Sequence, residues 1–150
     1  MKIKIRDAKT TDAAILDNML TKLVHYEAKW DSNINSQYIA ENNYGNMIDQ
    51  PGCKLIVAEV NDEIVGYLCG FIVQMPTQKK PTAILDAIYV DEHCRNMGCA
   101  SAMINEFKLF ALNEGAVTIE LKVFSNNEPA NKLYSKMMFE ENKKYLRFVL

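Results

Sequence analysis

Residues 83–114 read AILDAIYVDEHCRNMGCASAMINEFKLFALNE and place a strand, a turn and a helix in immediate succession. The almost entirely apolar run 83–90 predicts a central strand that is buried on both faces. After the turn, apolar side chains recur at helical spacing, which predicts a helix over 99–114, and Gly115 supplies a stop signal. A buried strand that leads straight into such a helix is typical of proteins in which helices pack on a sheet.

The residues on either side of this unit predict further strands and helices. Upstream, the patterns predict a strand at 2–6, a helix from the Thr10-Thr11-Asp12 cap to Tyr26, a weaker helix at 35–48, and a hairpin of strands 55–60 and 64–73. Downstream, they predict a strand at 117–124, a short helix at 127–137 and a final strand at 144–150. The predicted fold class is α/β (α+β), with a mixed, mostly antiparallel central sheet flanked by helices, in one domain over residues 1–150.

Composition argues against several classes of protein. The chain has 150 residues, of which 49% are hydrophobic and 24% charged, and its formal net charge is -2. This weakly acidic balance gives no reason to expect nucleic-acid binding. No segment approaches the ~20 apolar residues of a membrane span, and the alternating start does not resemble a signal peptide. The four cysteines form no CxxC pair, so we expect free thiols in a reducing cytoplasm and no metal site.

The turn between the central strand and its helix has the form of an anion-binding loop. Arg95-Asn96-Met97-Gly98-Cys99-Ala100 fits Arg-x-x-Gly-x-Ala. The first N–H groups of a helix lack an internal partner, and the helix dipole adds partial positive charge there. Gly98 would let a phosphate approach the backbone, and Arg95 could add a charge-assisted contact. By itself, the pattern also fits a plain strand-to-helix turn, with glycine for geometry and arginine for solubility.

A second motif favours the anion-binding interpretation. Residues 127–134 read NEPANKLY and are followed by Met138-Phe139. The two motifs and the order of elements resemble the GCN5-related N-acetyltransferase family, which carries Arg/Gln-x-x-Gly-x-Gly/Ala after its fourth strand and Asn-x-x-Ala-x-x-Leu/Phe-Tyr on a later helix. The resemblance covers essentially the whole chain. Met138 departs from it, because the family has a glycine there that ends the helix in a left-handed turn, and we expect methionine to change that helix end.

The resemblance implies acetyl-coenzyme A as the cofactor and assigns residues to it. The N–H groups of the turn would cradle the pyrophosphate, and the backbone of the preceding strand would pair with the pantetheine arm. Asn127 would reach the same arm, and Tyr134 would stand near the thioester sulfur. The residues assigned to the cofactor in this way are Ile88, Tyr89, Val90, Arg95, Asn96, Met97, Gly98, Cys99, Ala100, Ser101, Asn127 and Tyr134.

Acetyl transfer to an amine requires a proton acceptor and a proton donor. An alkyl amine has a pKa near ~10.4, so a base or a water chain must deprotonate it. Tyr134 is the predicted acid for the departing thiolate, and its alternative is a core aromatic whose hydroxyl finds a partner. Asp86, in the central strand, is the predicted base or ammonium anchor, with a structural salt bridge as an equal alternative. Glu120 is the second candidate, although a solvated charge on the strand face, paired with Lys122 or a neighbour, is the favoured interpretation.

The resemblance to the family implies that the loop between the first and second helices binds the acceptor amine. That region offers aromatic and acidic side chains, namely Tyr26, Glu27, Trp30, Asp31, Tyr38 and Tyr44. They suit a cationic amine, and they equally suit a cover for the sheet edge. We predict that Tyr26, Trp30, Asp86 and Glu120 bind the acceptor.

The predicted function is direct transfer of an acetyl group from acetyl-coenzyme A to a primary amine in a ternary complex. The expected acceptor is a small cationic amine. A non-catalytic acyl-coenzyme A sensor and an enzyme acting on a peptide amine are the alternatives. The exposed final strand makes a homodimer a reasonable expectation.

Overall fold

The structure, a computed structural model, describes residues 2–150 and is built around a five-stranded sheet. The strands are β1 (Ile3–Asp7), β2 (Cys53–Val60), β3 (Glu63–Val73), β4 (Thr82–Val90) and β5 (Thr118–Glu120), and they lie in the order β1-β2-β3-β4-β5. The pairs β1–β2, β2–β3 and β3–β4 are antiparallel, and the pair β4–β5 is parallel. The predicted mixed, mostly antiparallel sheet is therefore confirmed.

Helices cover both faces of the sheet. They are α1 (Ala13–Glu27), α2 (Cys99–Asn113) and α3 (Glu128–Lys136). Leu16 and Met19 of α1 pack into a core on one face, and Met103 and Phe107 of α2 pack into a core on the other. Strands β2, β3 and β4 supply side chains to both cores because successive side chains point to opposite faces. Among the described residues, none of the helices has the length and apolarity to cross a membrane.

The predicted β2–β3 hairpin is confirmed, together with its two-residue turn. Asn61 and Asp62 have φ angles of 53° and 63°. Positive φ at both central residues matches the right-handed twist of the flanking strands. Asparagine and aspartate tolerate this conformation better than most residues, which explains why the pair can replace the more usual Asn-Gly.

The predicted helix at 35–48 is wrong, because this region consists of turns and bends. Side chains take up its backbone N–H groups: the Asp17 carboxylate accepts from Asn43 and Tyr44, and the Thr21 hydroxyl accepts from Ala40. Such side-chain bonds offer the backbone an alternative to helical bonds. The loop still contributes to the core, since the Tyr44 side chain is buried.

The predicted strand at 117–124 is shortened, and the predicted strand at 144–150 is absent. Only Thr118–Glu120 pairs with β4, and residues 140–150 have no backbone hydrogen bond within the described part of the chain. A β-strand exists only where a neighbouring strand satisfies its backbone groups. Sequence pattern alone predicts strand propensity and cannot supply the partner.

Candidate active site

β4 has no strand neighbour on its β5 side along residues 88–90, which are predicted to bind the cofactor. Its ladder with β5 covers only Thr82–Ile84, whereas its ladder with β3 continues to Val90. A register shift leaves Asp86 without a partner between the Leu85–Gly70 and Ala87–Cys69 pairs, which is a β-bulge. Residues 88–90 therefore have no strand neighbour on the β5 side, where an extended ligand could pair.

The turn after β4 presents unused N–H donors. Asn96 and Gly98 adopt φ angles of 61° and 91°, and α2 starts from Gly98, whose carbonyl accepts the Ala102 N–H at 3.0 Å. In the described part of the chain, the N–H groups from Asn96 to Ser101 donate to no other residue. A Cβ built on Gly98 would have only Ile3 Cδ1 near it, at 4.0 Å. The turn is thus an accessible, partly positive cradle that suits an anion.

Arg95 holds this turn against the rest of the site. Its Nε donates to the Val90 carbonyl at 3.0 Å. Its guanidinium lies 5.3 Å from the Tyr26 ring centroid and 5.8 Å from that of Tyr89. The side chain therefore ties the turn to the end of β4 and the last turn of α1.

Cys99 belongs to the core beside the cradle. It is buried in the α2-side cluster, and burial raises the pKa of its thiol despite its place at a helix N-terminus. This agrees with a packing role for Cys99. Met97, Ala100 and Ser101 are half-buried around it.

Two asparagines organise the start of α3. The Asn127 side chain caps the helix by accepting the Ala130 N–H at 3.3 Å. Asn131 Nδ2 donates to the carbonyls of Phe124 and Ser125, at 3.3 and 3.2 Å. These contacts fix α3 against the segment that follows β5, and they set the position of Tyr134 one turn later.

The Met138 expectation is wrong, because the helix ends in a left-handed turn despite the methionine. Met138 has a φ of 69°, and the Phe139 N–H donates to the Tyr134 carbonyl at 2.9 Å. This six-residue closure is the Schellman arrangement. It places the Phe139 ring 5.6 Å from the Tyr134 ring.

Tyr134 lies half-buried at this helix end and keeps its proton. Burial, followed by the negative charge of Glu27, raises the pKa of Tyr134 to about 12. Glu27 is the last residue of α1, and burial raises the pKa of its carboxyl group as well. Sequence analysis did not predict this influence of the Glu27 charge on Tyr134. The only signal in the sequence was an acidic residue between Tyr26 and Trp30, and its distance from Tyr134 depends on how the chain packs.

Asp86 lies beside a buried pair of tyrosines. The hydroxyls of Tyr44 and Tyr67 are 3.0 Å apart; burial, with a smaller contribution from the Asp86 charge, raises the pKa of both groups. The Asp86 side chain itself is exposed. In the described residues it forms no ion pair, so the salt-bridge alternative is not supported.

Glu120 is half-buried in β5 opposite Ile84 of β4. Among the described residues Glu120 forms no ion pair with Lys122 or with another neighbour, and the Lys122 ammonium instead lies 5.3 Å from the Tyr145 ring. No hydrogen bond connects Glu120 or Asp86 to Tyr134 among the described residues.

Tyr26 and Trp30 form an aromatic cluster at the end of α1. Their rings pack edge to face at 4.9 Å, and Trp30 stacks on Phe124 at 5.8 Å. The Lys29 ammonium lies 3.8 Å from the Tyr26 ring and 4.5 Å from that of Trp30. The protein's own cation therefore already occupies part of the surface predicted for a cationic acceptor.

The chain is similar in sequence to known acetyltransferases. Residues 20–139 match the acetyltransferase (GNAT) family model. The L-amino acid N-acetyltransferase AaaT of Escherichia coli (strain K12) is 37% identical over 95 residues, and the L-2,4-diaminobutyric acid acetyltransferase of Marinococcus halophilus is 30% identical over 82. These matches cover 63% and 55% of this chain, but only 57% and 46% of the two relatives.

The fold also occurs in solved structures. A tetramutant of the BH1408 protein from Bacillus halodurans superposes with a TM-score of 0.86 at 19% identity, over 98% of this chain and 99% of the other. At that identity the likeness concerns the fold. The fold, the two motifs and the family match lead to one conclusion: the chain belongs to the acetyltransferase (GNAT) family.

Proposed function

We propose that this protein transfers an acetyl group from acetyl-coenzyme A to the primary amine of a small cationic molecule. The observation that carries the proposal is the run of unused N–H donors from Asn96 to Ser101, which lies at the end of the open β4 edge. A pyrophosphate fits the N–H cradle because Gly98 leaves it open. A pantetheine arm, which carries amide groups, fits the backbone edge of residues 88–90.

Acetyl-coenzyme A would supply an acyl group already activated as a thioester. The amine nitrogen attacks the thioester carbonyl carbon, the carbon–sulfur bond breaks, and the sulfur leaves as a thiolate. Tyr134, whose phenol has a pKa of about 12 and stays protonated at neutral pH, donates a hydrogen bond to the sulfur as negative charge develops there. The second proton that the attacking nitrogen loses as the amide forms reaches the thiolate by way of this phenol, which ends the cycle protonated. The free N–H groups of the bulged strand are the donors available to the oxyanion that forms during attack.

The proton that the ammonium loses goes to Asp86 or to water leading to it. Asp86 is exposed beside the bulge and has no ion-pair partner in the described residues, so its carboxylate is available to an incoming cation. Glu120, half-buried on the neighbouring strand, is the second carboxylate at this edge. Tyr26 and Trp30 would border the acceptor from the α1 side.

A small acceptor is favoured over a peptide by the relatives and by the acidic groups. The two curated relatives carry names that specify amino-acid substrates. Glu27, Asp86 and Glu120 provide carboxylates around the open edge, which suit a compact cation.

We also propose that the enzyme works in the cytoplasm, as a single domain and as a homodimer. All four cysteines are free thiols, which supports a reducing compartment. The two cores share one sheet, which supports a single domain.

The first test is calorimetric titration with coenzyme A and acetyl-coenzyme A, comparing wild type with Gly98→Asp. The new carboxylate would enter the cradle and repel phosphate, so we expect saturable binding to the wild type and none to the variant. Gly115→Asp is the matched control, because Gly115 also has a left-handed φ, 78°, and open surroundings at the far end of α2. The Gly115→Asp variant should have the same cost of placing a side chain at a left-handed φ, and it should keep the wild-type affinity for coenzyme A.

Two results would count against the proposal. Absence of coenzyme A binding to the wild type would overturn the cofactor assignment. If the protein binds acetyl-coenzyme A but releases no thiol with any of a broad panel of amines, it is a non-catalytic acyl-coenzyme A sensor and not an enzyme.

A further inference from the structure

Lys29 is a cation held in a defined place just after the end of α1. Its ammonium lies 3.8 Å from the ring centroid of Tyr26 and 4.5 Å from that of Trp30. A lysine that lies over two aromatic rings gains a cation–π attraction and loses part of the rotamer freedom of an ordinary surface lysine. The ammonium is therefore preorganised to receive a negatively charged group.

No carboxylate of the described residues neutralises this ammonium, since Lys29 forms no ion pair there. The two acids nearest to it in the sequence have other surroundings. Asp31 Oδ2 bonds Arg147 Nη2 at 2.8 Å, and the Glu27 charge contributes to the raised pKa of Tyr134. The charge of Lys29 is thus available to an anion from outside the chain.

Direct contacts connect Lys29 to the helix that carries the predicted acid. The Trp30 ring, on which its ammonium lies, stacks on Phe124 with 5.8 Å between the ring centroids. The Phe124 carbonyl accepts a hydrogen bond from Asn131 Nδ2 at 3.3 Å, and Asn131 lies one turn before Tyr134 on α3. An anion bound at Lys29 would therefore belong to a molecule on the acceptor side of the site.

We propose that the acceptor carries a carboxylate in addition to its amine, as a cationic amino acid does, and that Lys29 binds this carboxylate. The inference rests on the acetyl transfer proposed above and specifies its substrate class. Opposite charges then meet at both ends of the acceptor, because the Asp86 carboxylate suits the ammonium group and Lys29 suits the carboxylate. A simple polyamine would instead bring a cation towards Lys29, and the two like charges repel.

The phosphates of coenzyme A are the other anions that could meet Lys29. The Arg95 guanidinium lies 5.3 Å from the Tyr26 ring centroid, so this ring also adjoins the turn after β4. That turn already offers the unused N–H donors of residues 96–101 to a pyrophosphate, whereas the Trp30 contacts lead from Lys29 to α3. The acceptor carboxylate is therefore the favoured partner, and the variants below separate the two anions.

The first test compares acceptors that differ in the carboxylate alone. L-Lysinamide replaces the carboxylate of L-lysine by a neutral amide, and cadaverine lacks the group. We expect kcat/KM, measured by thiol release, to be about 10-fold higher for L-lysine than for either analogue, because a charge-assisted hydrogen bond contributes about that factor. L-Ornithine and putrescine are a second pair with a shorter chain. A wild type that uses the analogues as well as the amino acids overturns the inference and leaves the acetyl transfer intact.

The second test changes the lysine. Lys29→Gln should lower kcat/KM for L-lysine about 10-fold and leave that for L-lysinamide unchanged, whereas Lys29→Arg should keep the discrimination. Lys122→Gln is the control, because Lys122 is also exposed and its ammonium lies 5.3 Å from the Tyr145 ring. It removes the same charge and should discriminate like the wild type.

Two results with Lys29→Gln would overturn the inference. An equal loss for L-lysine and L-lysinamide would show that Lys29 only supports the end of α1. A weaker affinity for coenzyme A with unchanged discrimination between the two acceptors would show that Lys29 binds a phosphate of the cofactor.

A binding measurement separates failure of this inference from failure of the proposed function. L-Lysine and L-lysinamide are titrated by calorimetry into protein saturated with coenzyme A, which has no acetyl group to transfer. Tighter binding of L-lysine to the wild type, lost in Lys29→Gln, supports the carboxylate site; if no thiol is released in the kinetic assay, only the acetyl transfer is then wrong. If neither the titration nor the kinetic assay distinguishes the two ligands, the inference is wrong.

Discussion

At the residue scale, the site depends on side chains whose neighbours shift their chemistry. Tyr134 is prominent in the motif, but the sequence alone leaves open whether its phenol is a proton donor or a packing group. The structure adds the reason to consider it an acid: burial and Glu27 keep the phenol protonated. The relevant partner comes from α1, more than a hundred positions earlier in the chain.

We predict that Tyr134→Phe lowers kcat by about 100-fold and leaves the Kd of coenzyme A unchanged, because general acid catalysis contributes at least that factor. The wild-type rate should show no loss from Tyr134 ionisation until the pH nears the phenol pKa of about 12. Thiol-release kinetics from pH 6 to 10 measure both. Tyr145→Phe, at an exposed tyrosine, is the control and should keep wild-type kinetics. Unchanged turnover in Tyr134→Phe would exclude the acid role.

At the element scale, the end of α3 shows how a helix can retain a geometry that its sequence resists. Met138 adopts the left-handed conformation although its Cβ makes this unfavourable by about 1–2 kcal/mol. The Schellman bonds and the Phe139–Tyr134 contact hold it there. Neighbouring contacts therefore outweigh the local preference.

We predict that Met138→Gly raises the free energy of unfolding by about 1 kcal/mol, since glycine removes the left-handed strain. Little packing is lost, because the Met138 side chain is 84% exposed. Urea unfolding measures the change. Met75→Gly is the control: Met75 is also exposed but has no left-handed φ, so glycine there should give no gain. A Met138→Gly protein less stable than the wild type would show that the side chain supplies a contact worth more than the strain.

At the scale of the whole molecule, a partly buried ion cluster connects β1, the start of α1 and β2. Arg6 of β1 bonds Asp12 Oδ2 at 2.8 Å and Glu59 Oε1 of β2 at 2.7 Å. The guanidinium hydrogen bond holds the pKa of Asp12 below its ordinary value. The Asp12 carboxylate also accepts the Lys9 N–H at 2.8 Å, so it fixes the entry into α1.

We predict that Asp12→Asn lowers the free energy of unfolding by about 2 kcal/mol at pH 7, because it breaks a partly buried charged pair. The pKa of Asp12 is depressed by folding, so its contribution is complete above the unfolded value, near ~3.9, and is lost as the pH falls through the folded value. The difference between wild type and variant should therefore shrink below about pH 4. Urea unfolding across pH 2.5–8 is the measurement, with Asp62→Asn in the exposed hairpin turn as control. A difference that stays constant with pH would contradict the ion-pair explanation.

Elements with local signals could be predicted from the sequence. Alternation, an apolar run and helical spacing predicted β1 to β4 and the three helices, the Asn61–Asp62 hairpin followed from turn chemistry, and the glycine turn and NEPANKLY motif led to the family. Each of these depends on residues within a few positions of one another, where backbone sterics and side-chain periodicity decide the conformation.

The tertiary structure alone decided whatever depends on partners distant in the chain. Asp17 and Thr21 accept the backbone N–H groups of the loop at 35–48, where a helix was predicted. The β4–β5 ladder ends at Ile84, before the bulge, and the Glu27 charge contributes to the raised pKa of Tyr134. The segment at 140–150 has strand-forming residues but no strand neighbour in its own chain. A hydrogen-bond partner or a burying surface is a property of the packed molecule, so no local pattern could specify it.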